Sequence, residues 1–324
     1  MKRVPLLLLL AASAAGLHGA KTLDIYFVDT EGGQATLIAA PSGQTLLIDT
    51  GYAGNSGRDA DRIALAAKAA GVKKIDYLLI THHHPDHLGG VGSLLERLPV
   101  TTFLDHGPSV ELENQYEPAY SAAFAKGSHQ VIRAGDTIPI KGLDIKVLAA
   151  AGKFIGGTGD ANAHCAGLKP AEGETGENPQ SAALLIQFGK FRFADLGDLL
   201  YNGELALECP ENKLGKVDLY ITTHHGTHVP PKSVYGAAPR VIVMNNGARK
   251  GGLPAAWQLL HESPGLADIW QLHFSVAGGK EANAPDAFIA NVDERDLGQY
   301  IKVSAAEDGS FTVFNQRNKY TKKY

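Results

Sequence analysis

An α/β fold is what three features of this 324-residue chain predict. Apolar runs of strand length end in loops rich in His, Asp and Asn. An alanine-rich stretch at helical spacing crosses between two of these runs. Hydrophobic residues make up 44% and charged residues 20%, enough to bury one large core, so residues 21–324 are read as a single domain. In such a fold the functional groups collect at one edge of the sheet. The formal net charge is −4 and the pI near 6.3, so nucleic acid remains a possible partner that bulk electrostatics do not favour.

Residues 1–20 open with the basic Lys2 and Arg3, continue through an apolar run from Val4 to Ala15 and end on small residues, the pattern of a secretory signal peptide. The apolar run is short for a bilayer span. The expectation is an exported protein, periplasmic or extracellular, with no stable membrane anchor. Strand runs Leu23–Val28, Ala35–Ala39 and Thr45–Asp49, separated by tight turns, predict a β-meander. Asp59–Ala70, with Ile63, Ala66, Ala67 and Ala70 at helical spacing and Gly71 as a stop, predicts a helix leading to the strand Ile75–Ile80. A short helix is expected over Val91–Leu98.

Further strand signals lie at Val131-Ile132, Ile138–Ile140 and Leu143–Leu148, the last two joined by a Lys141-Gly142 turn. Residues 151–180 are Gly-rich and polar without periodicity, and a loop of that length inside a compact domain reads as an ordered active-site rim. A hairpin follows over Ala182–Phe188 and Phe191–Ala194, ending in Asp195-Leu196-Gly197-Asp198. Strand Val217–Thr222 ends in Thr223-His224-His225-Gly226, and strand Arg240–Met244 in Asn245-Asn246-Gly247. A strand near Tyr300–Val303 and a turn at Asp308-Gly309 close the domain, and the basic tail Lys319–Tyr324 reads as a solvated end. Cys165 and Cys209 are the two cysteines; a disulfide, two free thiols, or Cys165 as a soft metal ligand are all open.

The densest chemistry is Thr81-His82-His83-His84-Pro85-Asp86-His87-Leu88-Gly89-Gly90. His82 and His84, two apart in an extended loop, can chelate one ion, while Asp86 and His87 reach a neighbouring ion from the turn that starts the next helix. His83 points elsewhere in this reading. Neutral imidazoles with carboxylates suit Zn²⁺, and also Mn²⁺ or Fe²⁺. Arg249 and Lys250 follow a strand in a Gly-rich loop and are candidates to contact a substrate anion. His228, Trp257, His261, Trp270 and His273 could line a substrate cleft, but core packing is the favoured reading for the tryptophans and surface exposure for the histidines.

These residues resemble the metallo-β-lactamase superfamily: a strand, then His82-x-His84-x-Asp86-His87, a later Gly197-Asp198, and strand-end histidines at His224 and His225. The resemblance covers nearly the whole chain after residue 20. Its nearest branch is similar to the hydrolase domain of ComEC/Rec2 competence proteins, on Val28–Ala35, Leu47–Gly51, Asn178–Ser181 and His224–Thr227. It implies an αββα sandwich with two divalent ions in a cleft at its edge. Asp198 would bridge the ions, one of His224 and His225 would be a ligand, and Asp49 would orient a ligand histidine or form a turn. The third histidine of the fuller family pattern is absent, Asn178-Pro179-Gln180-Ser181 standing near its place. Either His164 supplies that ligand, or one ion keeps an open position.

The implied activity is hydrolysis of an ester, lactone, amide or phosphodiester, in a small-molecule or oligomeric substrate, by water activated on the ions, with Asp86 also orienting it. Two other classes remain open: a metal-binding protein without turnover, and an iron-dependent redox protein. No protein partner is indicated.

Overall fold

The computed structural model describes residues 22–111, 117–293 and 298–324, so the signal peptide expected at 1–20 lies outside the described residues. Strands β1 (Leu23–Phe27), β2 (Thr36–Ala39) and β3 (Thr45–Ile48) form the expected meander, and α1 (Arg58–Ala69) crosses to β4 (Ile75–Leu79). Next come α2 (Pro85–Leu88), α3 (Val91–Leu95), β5 (Val100–Asp105), α4 (Glu117–Phe124) and β6 (Ser128–Val131). The second half runs β7 (Asp144–Ala150), β8 (Lys153–Phe154), β9 (Asp160–Ala161), β10 (Ala183–Phe188), β11 (Phe191–Asp195), α5 (Tyr201–Glu208), β12 (Glu211–Asn212), β13 (Leu219–Ile221) and β14 (Val241–Met244). It closes with α6 (Pro254–His261), β15 (Asp268–His273), β16 (Ile289–Asn291), β17 (Ile301–Ala305), β18 (Phe311–Asn315) and β19 (Thr321–Lys323).

Two sheets carry the fold. One has nine strands in the order β19-β18-β17-β1-β2-β3-β4-β5-β6, the other eight in the order β16-β15-β14-β13-β11-β10-β7-β8. The inner strands β3, β13 and β14 are covered on both faces, which is why they read as unbroken apolar runs. Leu46 and Ile48 of β3 point into the core between the sheets, whereas Leu47 faces outward against Ile63 and Ala67 of α1. Val241 and Val243 of β14 likewise face the inter-sheet core, and Ile242 and Met244 pack under Trp257 and Leu260 of α6. Helix, sheet, sheet and helix therefore stack as the αββα sandwich. Helix α1 places Asp59 and Asp61 at its positive end and Lys68 in its last turn, and Gly71 at φ 71° ends the segment.

Strands β4, β11, β13 and β14 belong to parallel ladders and end at the same edge of the sandwich. Their following loops carry the histidines, Asp198 and Asn245. Among the described residues no helix is long and apolar enough to cross a membrane.

Several expectations are corrected. Ile138 and Ile140 are buried in the inter-sheet core, but this stretch makes only the bridge Thr137–Lys146 and no strand, because Pro139 cannot donate to a ladder. Strand β5 lacks a plain signal because Thr101 and Thr102 interrupt its apolar run. His273 is not on the surface: it ends the buried strand β15 and its Nε2 lies 2.7 Å from Asp29 Oδ1. Trp257 and Trp270 are core residues.

The basic tail is also not a solvated end. β19 pairs with β18, and Tyr324 is buried, stacked on Phe311 with ring centroids 5.1 Å apart. Its hydroxyl donates to Asp268 Oδ2 at 2.6 Å and accepts from Trp270 Nε1 at 2.9 Å. Tyr324→Ala is expected to lower stability by about 3 kcal/mol, the scale of emptying a buried aromatic site. Equilibrium urea unfolding measures it; an unchanged midpoint would return the tail to the solvated role.

Residues 151–180 hold β8, β9 and two short turns at Ala163–Cys165 and Asn178–Gln180, and the Cys165–Cys209 disulfide pins this segment to the end of α5. The disulfide removes Cys165 from consideration as a metal ligand.

Candidate metal centre

Asp198 is the hub. It follows β11 in the turn made by Gly197 at φ 55°, its backbone N–H donates to Ser181 Oγ at 3.2 Å, and its side chain is buried. It caps no helix, since α5 begins at Tyr201 after Leu200. Asp198 Oδ2 lies 3.1 Å from His87 Nε2, 3.3 Å from His225 Nε2, and 3.8 Å from both His82 Nε2 and His224 Nε2. Four histidines from two loops thus converge on one carboxylate.

On one side stand Asp86, His87 and His225. One ligand-capable atom from each of these and from Asp198 lies within 4.8 Å of all the others. Asp86 Oδ2 is 3.2 Å from His225 Nε2 and 3.5 Å from His87 Nε2. On the other side, His82 Nε2 and His84 Nδ1 meet at 2.9 Å, the convergence of two nitrogens that share a target. Sequence order brought these loops together because β4, β11 and β13 are neighbours or face each other across the sandwich.

His82, His84, His87 and His225 each have a partner on the other nitrogen, the arrangement that fixes ring orientation and tautomer for metal ligands, whereas His224 Nδ1 is buried without one among the described residues. Asp49, in the left-handed region at φ 61°, accepts from the Thr81 N–H and hydroxyl and sits 2.7 Å from His87 Nδ1. His82 Nδ1 is 3.2 Å from Thr81 Oγ1, His84 Nε2 is 3.4 Å from Glu111 Oε2, and His225 Nδ1 is 3.0 Å from Asn245 Nδ2. His83 turns away and packs against His106 and Tyr120.

His224 and His225 occupy consecutive left-handed positions, φ 48° and 56°, which aim their rings to different sides of Asp198. Such backbone strain in non-glycine residues is kept where the surroundings demand it. His225 is fully buried; His224 is half-buried, with Nε2 at 3.3 Å from Asn178 Nδ2. His164 is not brought to this cluster: its ring packs edge-on against Tyr235 at 5.5 Å and its N–H donates to Asn162. Asn178, near the place of the absent third histidine, lies beside His224.

The charges sort by side. Burial, reinforced by His87 and His84, holds His82 well below the usual imidazole range, and burial pushes His224 down to about 4. Burial opposes a charge on His87 as well, but Asp198, Asp49 and Asp86 outweigh it and hold it well above that range. Burial likewise opposes ionisation of Asp198, which His225 and His87 overcome, keeping it well below the carboxylate range. Asp198 Oδ1 is buried with no hydrogen-bond partner among the described residues. A buried, ionised carboxylate with one oxygen unsatisfied amid imidazole nitrogens is a donor set that fits divalent cations, which would take the place of the protons.

Lys250 Nζ donates to Asp86 Oδ2 and to Tyr52 Oη, the latter at 2.9 Å, so a cation stands at the mouth of the cluster; Arg249 is exposed. Gly33 has no room for a side chain, since a Cβ would lie 2.5 Å from the Asp86 carbonyl oxygen. A second group, Asp29, Glu31 and His273, contains the Arg62 guanidinium 3.0 Å from Asp29 Oδ2 and is a charge-compensated tie between the sheets.

Glu177, which sequence reasoning passed over, braces the histidine loop. Fully buried, it accepts from His83 N at 2.9 Å, His106 Nε2 at 3.0 Å, Ser109 Oγ at 2.7 Å and Val110 N at 2.6 Å. Burial disfavours its charge, but these donors, His106 foremost, hold it far below the carboxylate range. A depressed folded-state pKa contributes stability that is present above the unfolded value near 4.3 and is lost as pH falls. Glu177→Gln should therefore cost about 2 kcal/mol at pH 7 and progressively less towards pH 3. Unfolding midpoints across that range check it, and a pH-independent difference would contradict it.

Comparison with known proteins gives the following. Residues 28–173 match the family model described as the metallo-beta-lactamase superfamily. The chain is 31% identical over 115 residues to the hydroxyacylglutathione hydrolase of Erwinia tasmaniensis, an alignment covering 36% of this chain and 37% of that relative. The chain thus spans little more than a third of that relative's length. Among solved structures, the metallo-beta-lactamase fold protein YhfI of Bacillus subtilis is 13% identical with a TM-score of 0.45, over 77% of this chain and 96% of that one. A metallo-beta-lactamase of Cronobacter sakazakii is 15% identical with a TM-score of 0.37, over 62% and 78%. The match over residues 28–173 supports the metallo-beta-lactamase superfamily for this chain.

Proposed function

We propose that the protein is an exported hydrolase working with two divalent ions, Zn²⁺ first among the candidates, on either side of Asp198. The observation that carries this is the set of four imidazole nitrogens within 3.8 Å of Asp198 Oδ2. When bound, the ions lower the pKa of water to about 7 and polarise the oxygen of the group under attack. His82 and His84 would hold one ion and Asp86, His87 and His225 the other. The charge of the Asp198 carboxylate would offset the mutual repulsion of two cations held by these residues.

The surrounding side chains orient the reaction. Asp86 borders both His225 and the open side of the cleft, where it can accept a hydrogen bond from the attacking water. Lys250, fixed by Asp86 and Tyr52, offers positive charge to an anionic group of the substrate. His224, kept neutral by burial and lying beside Asn178, can donate a hydrogen bond from its imidazole N–H to the departing oxygen or nitrogen, which takes up a proton of the attacking water. Export is supported by the signal-like residues 1–20 and by the Cys165–Cys209 disulfide, a bond that persists in oxidising compartments.

For the substrate class, esters, lactones and amides stand first. A phosphodiesterase of the ComEC/Rec2 kind is the second reading, favoured by Asn178–Ser181 and His224–Thr227 and opposed by the net charge of −4. A hydroxyacylglutathione joins the panel because of the Erwinia tasmaniensis relative.

The test is turnover of generic ester, lactone, amide, hydroxyacylglutathione and phosphodiester substrates, before and after chelation and after addition of Zn²⁺, Mn²⁺ or Fe²⁺. The reading expects at least one substrate to be cleaved only with metal. Fully metallated protein inert to all of them would sink it.

A further inference from the structure

Beyond the ligands lies a buried chain of polar side chains that none of the chemistry above uses. It starts at Asp195, three residues before the hub, and crosses between the sheets to His225. Asp195 Oδ2 lies 2.9 Å from Gln34 Nε2, Gln34 Oε1 lies 3.5 Å from Asn245 Nδ2, and that nitrogen is 3.0 Å from His225 Nδ1. Asp195, Gln34, Asn245 and His225 are all at most 2% exposed. Asn245 Oδ1 takes the Thr222 hydroxyl at 3.0 Å, and Asp195 Oδ1 takes the Gly197 N–H at 3.0 Å.

We propose that Asp195 positions the metal ligand His225 through the two amides of Gln34 and Asn245, and that it does so as the neutral acid. The proposal rests on the reading of His225 as a ligand through Nε2.

An imidazole that gives Nε2 to a cation carries its proton on Nδ1, so the group facing Nδ1 must accept. Asn245 accepts there with its amide turned over, Oδ1 towards His225 and Nδ2 towards the Thr222 hydroxyl, without moving a heavy atom from its place. Gln34 must turn with it, so that its NH2 meets Asn245 Oδ1 and its Oε1 meets Asp195 Oδ2. Two oxygens share a hydrogen bond only if one bears a proton, and of these two only the carboxyl can. That proton comes from bulk water. The other carboxyl oxygen keeps the Gly197 N–H.

Burial pushes the Asp195 carboxyl up to about 6 even against the hydrogen bonds from Gly197 and Gln34. With the Gln34 amide turned, its N–H no longer stabilises the anion and its oxygen faces the carboxyl, which carries the shift further towards the neutral acid. Of the charged groups that reach it, Asp49 adds to the push and His87 opposes it. A chain satisfied at every link rigidifies what it holds, whereas one broken link leaves buried polar atoms unpaired.

The experiment measures the Zn²⁺ dissociation constant of the full-length protein by competition with a chromophoric chelator, for the wild type, Asp195→Asn, Asp195→Ala and Gln34→Met. A side-chain amide at 195 donates as the neutral acid does, so Asp195→Asn should stay within about threefold of wild type. Asp195→Ala and Gln34→Met should weaken binding by about 10- to 100-fold, the range for losing an outer partner of a ligand. Nitrogen-15 spectra of the zinc-loaded protein should show the His225 proton on Nδ1 in the wild type and Asp195→Asn.

Asn245→Asp gives a second handle, because a carboxylate at 245 accepts from His225 directly. In that background Asp195→Ala should no longer matter. Equal weakening by folded Asp195→Asn and Asp195→Ala overturns the proposal, as does an unchanged constant for Gln34→Met or a persistent effect of Asp195→Ala beside Asn245→Asp. A wild type that takes up no Zn²⁺ overturns the metal reading itself, and the proposal with it.

Discussion

Asp198→Asn is expected to lower metal-dependent kcat/KM by about 1,000-fold or more, equivalent to about 4 kcal/mol of lost transition-state stabilisation. The exchange keeps the size of the side chain but removes the charge that lies within 3.8 Å of four imidazole nitrogens. An amide can lend one neutral oxygen to one cation; it cannot screen two from each other. The fold should survive, since Asp198 lies in a turn held by backbone contacts to Ser181 and by the His224 N–H on Gly197 O. Steady-state kinetics with circular dichroism on the same samples checks both halves. A folded variant retaining more than a tenth of wild-type activity contradicts the bridging role.

The second large effect separates the two sides. His82→Ala and His225→Ala should each reduce bound metal from two ions to about one, because the first removes a ligand beside His84 and the second a ligand beside Asp86 and His87. Both should depress kcat severely, because one remaining ion would have to supply both the activation of water and the polarisation of the substrate oxygen. His164→Ala should leave the metal content unchanged, since that ring packs on Tyr235 away from the cluster. Inductively coupled plasma mass spectrometry on dialysed protein gives the count. Loss of both ions from either single variant would show one cooperative site rather than two sides joined by a carboxylate.

How much of this could be read from the sequence depends on how local each signal is. His82, His84, Asp86 and His87 lie within six positions after an apolar strand, so their spacing alone states the chemistry. Asp198 stood out by its glycine and its place after a hairpin, and the unbroken apolar runs of β3 and β14 are those of strands covered on both faces. His224 and His225 could not be separated, because only the two left-handed φ angles direct one ring into the buried side and the other towards the cleft.

Other contributors had no local mark. Glu177 sits in a polar stretch where a solvated acid and a fully buried brace look alike, and its partners lie at His83, His106, Ser109 and Val110. Gln34 and Asp195 are 161 positions apart and meet only because the two sheets face each other. The tail misled for the opposite reason: Lys319, Lys322 and Lys323 advertise solvent, while the final tyrosine anchors the strand. Strand β15, with Asp268, Gln271 and His273 among its six residues, hid a buried strand behind polar letters that pair with Lys322, Asn283 and Asp29.

The central claim is that Asp198 stands between two metal ions. Anomalous diffraction at the zinc edge from crystals of the zinc-loaded protein tests it most directly. Two peaks about 3.5–4 Å apart, one beside His82 and His84 and one beside Asp86, His87 and His225 with the Asp198 carboxylate between them, are the predicted result. A single peak, or peaks that leave Asp198 without contact to either ion, would contradict it.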